Sequence, residues 1–292
     1  MIPVGITLQP DVVYLDLLDQ VIRNDADYYE VAPETLWRQA PDGALLPNGF
    51  HRAFLDLAKE VRKPVVAHGV GLSVGTLSCA DDDRQQMWLA RIAADHRAFR
   101  FAWYTDHLGV SAPGGLAMTL PLPVAMTGES VARIRQSLAN LQRIVPEVGV
   151  ENSVFYYHLG DPLEEPDFLR RIVSGPGHHL LLDLHNVFTT AHNAGFDPHE
   201  YIDRLPLDAV IEIHLSGGSD SPGEWLASGR SLRLDSHDHG VPEAVWALFD
   251  KVWRRCPNLR GVTLERMEDT VTVPDVAVIR DELLRARAMV SR

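Results

Sequence analysis

Positive charge is scarce in this chain of 292 residues: 27 lysines and arginines stand against 40 aspartates and glutamates, for a formal net charge of −13. A phosphate backbone is held through a Lys/Arg surface, so the balance argues against nucleic acid as the main partner. Cysteine is scarcer still. Cys79 and Cys256 are too few for a disulfide framework and lack the paired spacing of a zinc–thiolate site, so both are expected as reduced thiols. No apolar stretch approaches the roughly 20 residues of a membrane span. The opening MIPVGITLQPDVVYLDLL lacks the basic and apolar regions of a signal peptide. These absences predict a soluble, cytoplasmic protein without a membrane partner. Repeats, low-complexity tracts and Pro/Gly linkers are also missing, which predicts one domain over residues 1–292.

What is present is a regular alternation. Hydrophobic residues make up 46% of the chain, enough for a substantial core. Short Val/Ile/Leu-rich runs predict strands at 4–9, 27–32, 64–69, 102–108, 148–153, 180–185, 209–216 and 261–266. They lack strict alternation, as expected for parallel strands covered on both faces. Helical patterns fall between them at 11–23, 49–62, 83–99, 128–144, 165–174, 198–204, 241–255 and 275–290, with 110–128 and 216–234 as long βα loops. Eight strand–helix units predict a (β/α)8 TIM barrel of the xylose-isomerase-like kind rather than an open sheet.

Acids and histidines recur at the ends of these runs: His68 in PVVAHG, Asp106 and His107 in WYTDHLG, Glu151 in GVENS, Asp183, His185 and Asn186 in LLLDLHN, His214 in VIEIHLSG and Glu265 in GVTLER. LDSHDHG adds Asp235, His237, Asp238 and His239. Barrel enzymes build their sites at the carboxyl ends of the strands, where these residues are predicted to meet. A carboxylate inside an apolar run needs a partner, which makes Asp183 and Glu265 hard to explain as bulk structure. Imidazole and carboxylate donors without cysteine suit zinc, iron or manganese, and a carboxylate such as Glu151 can join two ions. Other residues are expected to serve the centre less directly. His185 is expected to alternate away from Asp183, and Glu30 and Glu34 face the same rim but could equally form ion pairs. His178 and His179 are expected on the opposite rim facing solvent, and His51, His96, His158 and His199 at the surface. Asp238 and His239 are neighbours of a candidate.

The motifs YYEVAPE, HGVGLSVG, TDHLGVS, PLPVAMTGES, VENS, LLDLHNVFTTAHNAGFDP, IHLSG, DSHDHGVPEAVWALF and TLER together resemble the multinuclear non-heme iron-dependent oxidases, the family of the methanobactin biosynthesis protein B. The resemblance implies two or three irons in the barrel mouth, with dioxygen as co-substrate. Glu151, Asp183, His214 and Glu265 would hold one ion. His68 and His107 would hold a second and share Glu151. Asn186, Asp235 and His237 would hold a weaker third. It also implies oxidation of a residue, often cysteine, in a ribosomally made precursor peptide, and a small partner protein that binds the precursor's leader.

The chain departs from the family pattern in two places. The opening strand, usually Gly-x-Gly-Leu-Arg with a histidine shortly after, is Gly5-Ile6-Thr7-Leu8-Gln9 with Val12 at the histidine position. Thr35 stands where the second strand usually ends in asparagine. Neither change removes an expected ligand, but both alter the rim. Two rivals share the ligand pattern: a multinuclear zinc phosphodiesterase of the apurinic-endonuclease type, and a metal-binding subunit without chemistry of its own.

Overall fold

The computed structural model describes residues 1–113 and 121–291. Among the described residues, eight parallel strands close a barrel: β1 (Val4–Thr7), β2 (Tyr29–Val31), β5 (Val65–Gly69), β6 (Tyr104–His107), β7 (Val148–Glu151), β8 (His178–Asp183), β9 (Val210–Leu215) and β10 (Gly261–Leu264). Each lies beside the next in this order, and β10 returns to β1. A small antiparallel hairpin, β3 (Trp37–Gln39) and β4 (Leu45–Pro47), follows β2 and was not evident from the sequence. The helices are α1 (Val12–Asn24), α2 (Gly49–Val61), α3 (Asp82–Phe99), α4 (Gly128–Gln142), α5 (Glu165–Ile172), α6 (Leu184–Ala194), α7 (Pro198–Arg204), α8 (Glu243–Val252) and α9 (Val273–Val290). None of those described is long and apolar enough to cross a membrane.

The (β/α)8 expectation therefore stands, with one local correction. The pattern predicts strand to residue 185 and no helix until 198, but β8 ends at Asp183 and α6 begins at once. Asp183 caps that helix, its Oδ1 accepting the Asn186 N–H at 2.6 Å, which turns the backbone out of the strand. The long apolar run hides this boundary because α6 is buried along much of its length. The expected loop at 110–128 is described only in part, since residues 114–120 lie outside the described ones. Val110 and Leu122 are bridged across it.

The two-residue period of the strands sets the interior in layers. Tyr28 lies two residues before Glu30, Val66 before His68, Glu212 before His214 and Thr263 before Glu265. The lower layer is a buried floor. Tyr28, Val66, Trp103 and Ile211 form an apolar cluster apart from the main core. Tyr28 Oη and Trp103 Nε1 donate to Glu212 at 3.0 and 2.6 Å, and the Thr263 hydroxyl also donates to it. Gly5 and Gly261 leave room for the Tyr28 ring, which a Cβ at either position would meet at 2.6 or 2.5 Å. The main core lies outside the barrel, under the helices.

One polar group sits within that outer shell away from the barrel mouth. Glu165 opens α5 and accepts the Tyr201 hydroxyl of α7 at 2.6 Å; burial pushes its carboxyl up to about 7. The folded state thus keeps this proton to higher pH than the unfolded chain does. Its contribution to stability is present below about pH 4.5 and lost as pH rises towards 7. Glu165→Gln keeps the acceptor and removes the titration. Relative to wild type, the variant should gain on the order of 3 kcal/mol of unfolding free energy between pH 4.5 and 7.5. Urea unfolding at both pH values measures this, and parallel pH profiles would refute it.

Candidate metal centre

The upper layer brings the predicted residues together. His107 and Glu151 are the last residues of β6 and β7 and lie opposite each other in register. Asp183 and His214 pair in the same way across β8 and β9. His68 is the penultimate residue of β5, and Glu265 directly follows β10. The loop after β9 supplies Asp235 and His237, the latter in a left-handed backbone conformation with φ 49°. All nine residues expected as ligands reach one mouth, eight from strand ends and the loop after β9 and Asn186 from the first turn of α6.

The imidazoles are oriented from behind. His107 Nδ1 donates to the Gly69 carbonyl at 3.1 Å, and His68 Nδ1 lies 2.9 Å from the Thr105 hydroxyl. The two rings stack with centroids 4.6 Å apart. Their Nε2 atoms both face Glu151 Oε2, at 3.1 Å from His107 and 3.5 Å from His68, without hydrogen-bonding geometry. Two donor atoms each roughly 2.1 Å from one ion and at right angles lie roughly 3 Å apart, so these separations suit a shared cation.

Unsatisfied atoms give the stronger test. His68 Nε2, Glu151 Oε2, Asp183 Oδ2 and Asn186 Oδ1 are buried and have no hydrogen-bond partner. Leaving a buried polar group unpaired costs about 1–3 kcal/mol, and here four cluster in one place, each carrying a lone pair. Three sets of donor atoms approach closely enough for one ion each: His68, Glu151 and His214; Glu30, His214 and Glu265; and Asp183, His237 and Glu265. An ion of the N/O-preferring class fits this donor set.

The electrostatics agree with that fit. Burial pushes His68 down to about 3, so its imidazole is neutral. Burial, then the nearby Glu151 and Asp235 carboxylates, pushes Asp183 up to about 7. Burial also raises Glu151. Burial opposes the charge of Glu265 too, but the His237 and His214 imidazoles outweigh it and hold that carboxyl well below its usual range. Acids and imidazoles in the mouth thus share protons that a cation would displace.

Asn186 and Asp235 occupy the side of the mouth towards α6. Asn186 Nδ2 donates to Glu151 Oε1 at 3.2 Å and to the Asn152 carbonyl at 3.0 Å, which leaves its Oδ1 facing inward. Asp235 Oδ1 lies 2.6 Å from His237 Nε2 and 3.4 Å from His185 Nδ1. His185 does not alternate away, as a strand would require: in the first turn of α6 it is fully buried against Asp235. His178 and His179 stand on the opposite rim, as expected, but are not left to solvent. They open β8, where His178 is buried and His179 is 2.7 Å from Glu147. His51 is buried too, beside Asp95. Asp238 turns to Ser236 and His239 instead of the centre.

The sequence marks Glu30 only as a rim acid, yet it lies 2.9 Å from His214. Its signal was its place two residues beyond Tyr28 on the inward face of β2. Glu34 is different, capping the Val70 and Gly71 N–H groups at 2.6 and 2.8 Å. Tyr156, which no pattern marked, accepts the Asp235 N–H at 3.1 Å. Of the departing residues, Gln9 is buried and donates to the Arg266 carbonyl at 3.1 Å, while Val12 and Thr35 are exposed.

The mouth opens into a cleft of about 540 Å³ lined by Val70, Leu122, Phe155, Tyr156, Tyr157 and Met267 beside His107, Asp235, His237 and Glu265. Among the described residues no lysine or arginine lines it.

Three variants test the assignment of ligands. Glu151→Ala and His214→Ala should each lower the bound metal per chain, read by elemental analysis, while Asn186→Ala should reduce only the weakest fraction. Wild-type binding should release protons and weaken from pH 8 to pH 6, seen by calorimetry in buffers of different ionisation enthalpy. Unchanged metal content in the first two variants would dismiss the assignment.

Comparison with known proteins places this geometry. The family described as RiPP precursor modification enzyme MbnB/TglH/ChrH, where RiPP denotes a ribosomally synthesised and post-translationally modified peptide, matches residues 3–291. A UPF0276 protein of Caulobacter vibrioides is 34% identical over 261 residues, 88% of each chain. A UPF0276 protein of Bordetella parapertussis is 30% identical over 294 residues, covering 99% of this chain and 92% of the relative. Among solved structures, a D-tagatose 3-epimerase-like protein superposes with a TM-score of 0.59 at 13% identity, covering 99% of this chain and 98% of its own. A xylose isomerase domain protein from Planctomyces limnophilus gives 0.59 at 12% identity, with 99% and 96% covered. These structural likenesses establish the xylose-isomerase-like barrel and nothing about chemistry. With the family match running through nearly the whole sequence, the chain belongs to the MbnB/TglH/ChrH family of RiPP precursor modification enzymes.

Proposed function

We propose that this protein is a multinuclear non-heme iron-dependent oxidase that uses dioxygen to modify a residue, a cysteine, of a ribosomally synthesised precursor peptide. The observation that carries the reading is the set of four buried, unpartnered donor atoms on His68, Glu151, Asp183 and Asn186, opening onto a peptide-sized cleft. Glu151, Asp183, His214 and Glu265 would hold one iron, His68 and His107 with Glu151 a second, and Asn186, Asp235 and His237 a third. Bound iron would supply the redox capacity that protein side chains lack, together with an electrophilic site for a thiolate.

The residues of the chain do the rest. Gly69 and Thr105 keep His107 and His68 turned to the mouth. Asn186 braces Glu151, whose other oxygen faces the two imidazoles. The aromatic and aliphatic wall of Phe155, Tyr156, Tyr157, Val70 and Met267 offers an extended peptide an apolar seat and limits water around the reacting residue. Among the described residues no lysine or arginine lines the cleft, so it repels no basic peptide and offers no side-chain clamp for a nucleic-acid backbone. A small leader-binding partner protein would deliver the precursor to this mouth.

The test is turnover of a short Cys-containing precursor peptide by iron-loaded protein, with and without a leader-binding partner. Oxygen uptake and a changed peptide mass are expected, and both should fall by at least about 100-fold in Glu151→Ala and His214→Ala, as for loss of a group the centre depends on. Stoichiometric zinc with no oxygen uptake on any thiol peptide would sink the oxidase reading.

A further inference from the structure

The three strand-borne histidines of the mouth are each held from behind, by different chemistry. His68 meets a hydroxyl and His107 a backbone carbonyl. His214 meets a carboxylate: its Nε2 lies 2.9 Å from Glu30 Oε2. Its other nitrogen, Nδ1, is turned inward, 3.1 Å from Glu265 Oε2 and 4.0 Å from Asp183 Oδ2. Glu30 has no exposed surface, and its Oε1 accepts the Thr7 hydroxyl at 2.9 Å. Both of its oxygens are therefore engaged. The other carboxylate near His214 Nε2, Glu212, is 3.9 Å away and already takes Tyr28, Trp103 and Thr263 as donors.

We propose that Glu30, braced by Thr7, is a positioning residue of the centre: it accepts the Nε2–H of His214 and so leaves the Nδ1 lone pair facing Asp183 and Glu265. Carboxylates face both ring nitrogens, so the single proton of a neutral imidazole settles at Nε2, against Glu30, once a cation takes Nδ1. A carboxylate in this place also fixes the ring plane and makes the opposite nitrogen a better donor to a cation. The contact joins β2 to β9 across the barrel interior, two strands that are not neighbours, and Thr7 ties β1 to the same group. Glu30 could ligate an ion directly only by giving up Thr7 or His214. The inference rests on reading the mouth as a metal centre.

Metal-free protein is titrated with Co(II) against a chromophoric chelator, and the visible spectrum of the bound cobalt is recorded. Glu30→Gln keeps the shape and a neutral acceptor, and should weaken the tightest site about 10-fold. Glu30→Leu should weaken it about 100-fold. Thr7→Val should have a smaller effect in the same direction, and the cobalt bands should shift in both Glu30 variants. The metal-free melting temperature of Glu30→Gln should stay near that of wild type, so that variant decides the matter even if Glu30→Leu does not fold. Wild-type affinity and an unchanged spectrum in Glu30→Gln, with wild type loading normally, would overturn the proposal alone. A wild type that takes up no metal would overturn the centre itself, and the proposal with it.

Discussion

Everything at the barrel mouth follows from the burial of like charge. Glu30, Glu151, Asp183, Asp235 and Glu265 converge within a few ångströms, and among the described residues none of them has a lysine or arginine ion partner. Isolated carboxylates cannot be taken out of water without a counter-charge. The imidazoles of His107, His214 and His237 supply part of it, and shared protons supply more. The donor atoms left unpaired are those to which a cation would bring the remainder. In a barrel whose lower layer is buried and already hydrogen-bonded, that charge opens only upward into the cleft.

The fold was legible because the strand period and the helix period alternate along the chain without ambiguity, and the site because barrel topology collects strand ends. What stayed hidden was local. The boundary between β8 and α6 was invisible since a largely buried helix following a largely buried strand leaves no change in hydropathy. That one misplaced boundary turned His185 away from the centre, whereas the first turn of a helix turns it towards Asp235. The roles of Glu30 and Tyr156 depend on contacts with residues 184 and 79 positions away, which no local pattern records.

The departures from the family pattern gain physical meaning from the same contacts. Thr7, standing where that pattern has glycine, provides the hydroxyl that holds Glu30. Gln9 ties the opening strand to the turn after Glu265 through the Arg266 carbonyl. Both changes add a hydrogen bond beneath the rim instead of altering the donor atoms of the mouth. Val12 and Thr35, by contrast, face solvent.

Asp183 holds a helix with one oxygen and faces the mouth with the other. The carboxyl is a hinge pin between two kinds of order. Whatever settles against Oδ2 also steadies the first turn of α6, and with it Asn186 and His185, which ride on that turn. A pull on Oδ2 would thereby reach the far side of the mouth through the backbone of a helix.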